Sequence, residues 1–247
     1  MTGAARSGQS WAVIAGSEQG KGLWIKQRLR SLRPQRLIIW DRQGEYGPHA
    51  SRAETLTLMA GVLRQPKFKV RYVPRGGNQA ALAREFEAFC QLAYCAVGAT
   101  VIVEELADVT NPSFAPPAWR RLNTAGRHHQ GLLVIATSQS PAAIDKAFLG
   151  NATLLHVGFL GVHPHRKAVA LELDVKPEEI RSLARGEYIE LDRSSNRLSR
   201  GRVKVPGSGS GGAGPLTPAG PAAQSPAPCP STPKPSSSPL PLPSSRP

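Results

Sequence analysis

The feature that most restricts this chain is a glycine-rich turn set between an apolar run and a helical stretch. The run Trp11–Ala15 (WAVIA) has the make-up of a buried strand and leads directly into Gly16-Ser17-Glu18-Gln19-Gly20-Lys21-Gly22. A helical pattern follows at once, over Lys21–Ser31. A turn of this kind aims several backbone N–H groups at one point, and the dipole of the following helix adds positive potential there. A lysine in the turn reaches the outer phosphates of a nucleotide. Gly16, Gly20 and Lys21 stand where that geometry needs small residues and a cation. Two departures from the pattern GxxxxGK[ST] are visible. Three residues separate the glycines instead of four, unless Ala15 takes the first place. The position that normally offers a hydroxyl to Mg²⁺ is Gly22. Taken alone, the turn is equally consistent with a strand–helix connection that binds nothing.

The rest of the chain alternates short apolar runs with helical stretches, the pattern of a mostly parallel α/β sheet. Strands are expected at Arg36–Trp40, Lys69–Val73, Thr100–Glu104, Leu132–Thr137 and Thr153–Phe159, and helices at Gln79–Val97, Ala118–Gly126 and Pro141–Phe148. The first of these three helices carries Leu82, Phe86, Phe89 and Ala93 on one stripe, a spacing that buries it against a sheet. A short helix after Pro177 leads to Gly186. The segment from there reads as a hairpin that turns at Ser194-Ser195-Asn196.

A second chemical signal closes the strand Thr100–Glu104, where four apolar or β-branched residues run into Glu104-Glu105. Two carboxylates at the carboxyl end of a buried strand are costly unless they meet a cation or polarise a water. The bland alternative is a strand that simply surfaces in two glutamates.

Composition sets the outer limits. From Pro206 to Pro247 the chain is nearly all Gly, Ser, Pro and Ala and holds 13 of its 23 prolines. Such a segment cannot bury enough apolar surface to offset its ordering entropy, so a disordered tail over 206–247 and a folded domain over 1–205 are expected. The excess of basic side chains does not come from the tail. Only Arg202, Lys204, Lys234 and Arg246 lie beyond Gly201, which leaves 27 basic against 17 acidic residues, or +10, before it. That balance suits an anionic polymer. Cys90, Cys95 and Cys229 form neither a CxxC pair nor an even framework, which speaks against a disulfide scaffold or a zinc site. No apolar run reaches the roughly 18 residues of a membrane span, and the first ten residues lack the apolar core of a signal peptide. A cytoplasmic protein is expected.

With these parts in place the sequence resembles the FtsK–HerA superfamily of DNA-pumping ATPases. It looks most like the genome-packaging ATPases of membrane-containing phages and the related zonular-occludens-toxin-like phage proteins. Four stretches carry the likeness: AGSEQGKG, IIWDRQGEY, VIVEE and GRHHQGLLVIATSQSP. The resemblance implies a P-loop NTPase fold (RecA/ASCE-like), a mostly parallel sheet flanked by helices. It implies ATP and Mg²⁺ as cofactors, held by Gly16, Ser17, Glu18, Gln19, Gly20, Lys21 and Gly22, with Glu104 on the metal and Glu105 activating water. Gln139 would sense the γ-phosphate. Arg127 would reach a neighbouring subunit's nucleotide in a homo-oligomeric ring, a hexamer in the superfamily. Each role has a plainer alternative: Gln139 as a helix cap, Arg127 as a solvated or DNA-contacting residue, Asp41 and Glu45 as turn residues. His128 and His129 lack partners at metal-ligand spacing.

The function this implies is an ATP-driven DNA translocase that packages phage double-stranded DNA, gripping the backbone without sequence preference and meeting capsid or portal proteins. It would work in the bacterial host cytoplasm and in the virion. Loops for DNA are sought at Arg71, Arg75 and Gly76-Gly77 or at Gly161–Lys167. Two other readings stay open: a zonular-occludens-like factor for phage assembly and DNA extrusion, and a nucleotide-binding structural protein without hydrolysis, which Gly22 favours.

Overall fold

The computed structural model describes residues 8–203; the Pro/Ser-rich stretch expected to be disordered lies outside them. A nine-stranded sheet organises these residues. In chain order its strands are β1 (Gln9–Ile14), β2 (Arg36–Trp40), β3 (Ser51–Ala53), β4 (Phe68–Tyr72), β5 (Thr100–Val103), β6 (Leu133–Ser138), β7 (Leu154–Gly158), β8 (Glu187–Asp192) and β9 (Arg197–Arg202). Their spatial order is β3-β4-β2-β5-β6-β1-β7-β8-β9. The first seven positions in that order pair in parallel, while β8 and β9 add on antiparallel. The helices are α1 (Lys21–Leu32), α2 (Leu56–Leu63), α3 (Gln79–Tyr94), α4 (Pro117–Arg121), α5 (Arg127–Gln130), α6 (Lys146–Asn151), α7 (His163–Leu173) and α8 (Pro177–Arg181).

The central strands are apolar throughout because both faces of the sheet are covered. Alternation divides their side chains between two cores. Leu37, Ile39, Ile102, Ile135, Trp11 and Val13 meet Trp24, Ile25 and Leu29 of α1 on one face. Ile38, Trp40, Val101, Val103, Val134 and Ile14 join the larger core on the other face, with the stripe of α3 and with Trp119 and Phe148. Trp40 and Phe86 meet edge to face at 5.1 Å, and Trp119 and Phe148 lie 5.2 Å apart. Each such side chain contributes about 1.5–3 kcal/mol by burial.

Local chemistry sets the boundaries. Asn78 caps α3 by accepting the Ala81 N–H at 2.9 Å. The hairpin turns where expected: Asp192 Oδ1 accepts the Ser194 N–H at 2.9 Å, and Asn196 takes a left-handed φ of 50°. Arg193, beside that turn, donates to the carbonyls of Leu149, Gly150 and Ala152 at the end of α6. The expected helix at Pro141–Phe148 is displaced. A 3₁₀ turn spans Pro141–Ala143, and α6 starts only after Asp145, whose carboxylate accepts the Ala147 N–H at 3.0 Å. The helix expected to end at Gly126 runs on to Gln130 through a π-turn over Leu122–Gly126. A Cβ on Gly126 would come 3.0 Å from Leu132 Cδ1 and 3.2 Å from the Tyr94 ring, so close packing explains this mid-helix glycine.

Phe86 is fully buried among Trp40, Phe89 and Trp119. Phe86→Ala is expected to cost about 3–5 kcal/mol in urea unfolding. Leu171→Ala, at a position 82% exposed, should stay within about 0.5 kcal/mol of the parent.

Candidate functional site

Parallel pairing brings β5, β6 and β1 side by side, so the segments leaving their carboxyl ends meet above the middle of the sheet. A cavity of about 630 Å³ opens there. It is lined by Ser17, Glu18, Gln19, Gly20, Lys21 and Gly22 after β1, by Glu104 and Glu105 after β5, and by Thr137 and Gln139 at the end of β6. The sequence-predicted groups are thus assembled in one place, apart from Gly16 just behind the loop and Arg127.

The loop is shaped by its backbone. Gly16 donates its N–H to the Phe159 carbonyl at 2.8 Å, which ties the turn to the end of β7. Glu18 and Gly20 adopt left-handed φ values of 57° and 93°, and Gly20 is the residue that enters α1. No side chain caps the first turn of α1 and no acidic residue lies in it. The N–H groups of a twelve-residue helix therefore open onto the cavity without a protein acceptor from a cap, the arrangement that suits an anion. Lys21 Nζ donates to the Ala15 and Gly16 carbonyls at 2.7 and 2.9 Å. Burial lowers its pKa, against the pull of Glu105, Glu104 and Glu45.

The two glutamates differ. Glu104 is buried and accepts the Gln43 N–H at 3.1 Å. Burial pushes its pKa up to about 8; the Gln43 bond opposes the rise, and the negative charges of Asp41 and Glu45 add to it. A divalent cation would relieve this desolvated cluster. Glu105 takes a left-handed φ of 48°, a costly backbone for a side chain of its size. Its N–H donates to Thr137 Oγ1 at 3.1 Å, and its carboxylate accepts Gln139 Nε2 at 3.0 Å and the Gln139 N–H at 3.4 Å. Strand β6 thereby holds the Glu105 carboxylate over the cavity.

The segment after β2 supplies the remaining wall. Asp41 is fully buried and accepts the N–H groups of Glu45 and Tyr46 at 2.9 and 3.2 Å, with Arg71 Nη1 at 2.8 Å. Asp41 is therefore a turn anchor. Arg71, sought as a DNA contact, serves instead as its counter-ion. Arg75 pairs with Glu54 on the surface. The stretch Gly161–Lys167 is likewise not a free loop: it enters α7, and Arg166 is buried with its guanidinium on the Leu160 and Gly161 carbonyls. Arg127 stands at the opposite end of the sheet, where Nη1 donates to Ser10 Oγ at 2.9 Å and to the Asn151 carbonyl at 3.0 Å. His128 and His129 are exposed, and among the described residues no group of three or more His, Cys, Asp or Glu side chains is arranged to hold a metal unaided. That is compatible with Mg²⁺, which protein sites commonly bind through one or two carboxylates plus substrate phosphates.

Gln43, Tyr46, Lys26 and Arg185 also line the cavity. Arg185 arrives from the approach to β8 and donates from Nε to the Glu18 carbonyl at 3.2 Å. Nothing in the sequence pattern flags it, since 167 positions separate it from its loop partner. Tyr46 belongs to the IIWDRQGEY motif, but only the fold turns it toward the phosphate loop's side of the sheet.

No family model matches the chain. Protein P9 of Pseudoalteromonas phage PM2 is 29% identical over 180 residues, which cover 69% of this chain and 78% of that protein. Among solved structures, the genome packaging NTPase B204 of Sulfolobus turreted icosahedral virus 2, in complex with ATPγS, superposes with a TM-score of 0.65 at 16% identity, covering 80% of this chain and 98% of B204. VirB4 of Thermoanaerobacter pseudethanolicus gives a TM-score of 0.62 at 12% identity, over 84% of this chain and 92% of that one. The fold shared with these neighbours is that of a P-loop NTPase. The chain accordingly has the P-loop NTPase fold that its motifs imply, and a phage protein is among its relatives.

Proposed function

We propose that this chain is the motor ATPase of a viral DNA-packaging machine, hydrolysing ATP and moving double-stranded DNA by its phosphate backbone. The observation that carries the reading is the meeting of Lys21, the open first turn of α1, Glu104, Glu105 and Gln139 around one cavity. The motifs of the chain, and the fold it shares with B204 and VirB4, support the same reading, as does the +10 balance of the first 201 residues.

In this mechanism the N–H groups of the loop and α1 hold the β- and γ-phosphates, and Lys21 turns from the Ala15 and Gly16 carbonyls to the γ-phosphate oxygens. Glu105 accepts a proton from the attacking water, whose oxygen bonds to the γ-phosphorus as the bond to the bridging oxygen breaks, leaving ADP and inorganic phosphate. Gln139 holds Glu105 in place through the 3.0 Å bond and, being at the end of β6, registers whether a γ-phosphate is there. Glu104 holds Mg²⁺, which when bound neutralises charge on the phosphate oxygens. Arg127, at the far end of the sheet, is out of reach of its own subunit's cavity and suits a neighbour's nucleotide, so turnover depends on assembly of a homo-oligomeric ring. Contacts with a capsid or portal vertex, work in the host cytoplasm and carriage in the virion belong to the same proposal. Gly22 favours a second reading, in which nucleotide binds without turnover.

The deciding measurement is ATP hydrolysis by the purified protein with and without double-stranded DNA. DNA-stimulated turnover is expected, with Lys21→Ala losing nucleotide binding and Glu105→Gln retaining binding while slowing hydrolysis by about 10²–10⁴-fold. Absence of turnover in every oligomeric state of the folded protein would overturn the motor and leave the second reading. Arg127→Ala should bind ATP as tightly as the parent in the monomer yet lose about 10³-fold or more of kcat in the ring.

Glu104 gives a pH signature. Its pKa is raised in the folded chain, so the native state binds more protons, and stability falls as pH rises from the ordinary carboxylate range through about 8. Glu104→Gln keeps an acceptor for the Gln43 N–H and removes the charge. Without nucleotide, its thermal midpoint should exceed the parent's by about 4 °C or more at pH 9, with the difference vanishing toward pH 5. An equal difference at both pH values would mean that the Glu104 charge is not the cause.

A further inference from the structure

The missing hydroxyl at Gly22 has a structural counterpart. A Cβ placed on Gly22 would lie 3.4 Å from Glu45 Oε2 and 3.9 Å from Lys26 Nζ, with no other described atom beyond its own stretch of helix within 4 Å. A carboxylate oxygen therefore borders the space that the side chain of a serine or threonine would occupy in an ordinary phosphate loop. Its position is built. Buried Asp41 accepts the Glu45 and Tyr46 N–H groups at 2.9 and 3.2 Å, and Arg71 fixes Asp41 in turn at 2.8 Å. The backbone of Glu45 is thus pinned, while its side chain is about half exposed and, among the described residues, bound only to Lys26, at 3.2 Å. Such a partly exposed pair is broken at small cost. Next to it, Tyr46 lines the cavity, and among the described residues its buried hydroxyl meets no hydrogen-bond partner, which leaves it free to donate to a ligand atom.

We propose that Glu45 supplies an oxygen ligand to the nucleotide-bound Mg²⁺, in addition to Glu104 and in place of the hydroxyl that Gly22 lacks. The inference rests on the nucleotide-site reading above. It gives the glycine a reason, because a side chain at position 22 would crowd the Glu45 oxygen. It also separates this site chemically from a hydroxyl-bearing loop. A carboxylate brings a full negative charge, which repels metal-free phosphates and attracts the cation, so discrimination between Mg·ATP and free ATP should be stronger than a neutral hydroxyl allows.

The test measures binding of a non-hydrolysable ATP analogue by the full chain, with MgCl₂ and with EDTA. Mn²⁺ replaces Mg²⁺ in a parallel series read by electron paramagnetic resonance. The parent should bind far more tightly with Mg²⁺. In Glu45→Gln the Mg²⁺-dependent gain should fall by about 10–100-fold, the EDTA affinity should hold or rise, and the Mn²⁺ spectrum of the ternary complex should change. Lys26→Gln breaks the same ion pair and should keep the Mg²⁺ gain. Adding Gly22→Ser to Glu45→Gln should restore much of it, since the serine hydroxyl supplies the oxygen ligand that the carboxylate no longer does. If Glu45→Gln keeps the full gain and the parent Mn²⁺ spectrum, Glu45 is not a ligand, although the nucleotide site stands. If the folded parent binds no analogue with or without the metal, the nucleotide-site reading itself has failed and this inference with it.

Discussion

Everything chemical in this molecule depends on the in-register parallel pairing of β5, β6 and β1. Val103 faces Ala136 across one boundary, and Ile14 faces Ser138 across the other. Parallel strands end on the same side, so three segments spread over more than a hundred residues of chain deliver their first polar residues to one edge. The apolar runs that make these strands have no other stable place than a sheet covered on both faces. The site is a consequence of where that hydrophobic pattern stops. Glu104 and Glu105 are the first residues that the pattern does not bury as hydrocarbon, and the glycine loop begins where WAVIA ends.

The acidic wall raises a physical problem that the fold only partly solves. Asp41 has a complete set of partners in Arg71 and two backbone N–H groups, and it stands as a satisfied buried charge. Glu104 has one N–H bond and two acidic neighbours, and its raised pKa is the measure of what is missing. Glu105 is satisfied by Gln139 but sits on a left-handed backbone. The unresolved charge and the strain therefore fall on the two residues to which the mechanism gives chemistry, while the satisfied carboxylate anchors the turn.

Legibility in the sequence followed the same physics. The central strands could be read because burial on both faces leaves short apolar runs, α3 because burial on one face leaves a helical period, and the hairpin because its turn residues bond locally. Strand β3 was not anticipated: it is three residues long, Ser-Arg-Ala, and buries only Ala53. Helix α2 buries only Met59 fully and carries a glycine, and α7 opens with His-Pro-His-Arg-Lys, which reads as a basic loop until Arg166 is seen folded back on two carbonyls. The start of α6 was missed because the capping residue is Asp145, not the residue before Pro141. At the site, the contiguous groups were legible as motifs. Arg185 and Tyr46 were not, since only tertiary packing brings them to the cavity.

The position of Arg127 ties the sheet to the proposed assembly. A group that must touch a transferring phosphate cannot act from the amino end of β1 on a cavity at the carboxyl end of the same strand. In its own subunit the guanidinium has a structural use, bridging Ser10 and Asn151 through Nη1, while Nε is buried without a partner. A subunit packed head to tail against this end would bring its own cavity to Arg127, and the repeated contact closes a ring when the rotation allows. Cleavage in one subunit would then require its neighbour in register. The two ends of the parallel sheet would become the two halves of each catalytic centre, which couples each hydrolysis event to the geometry of the ring around the DNA.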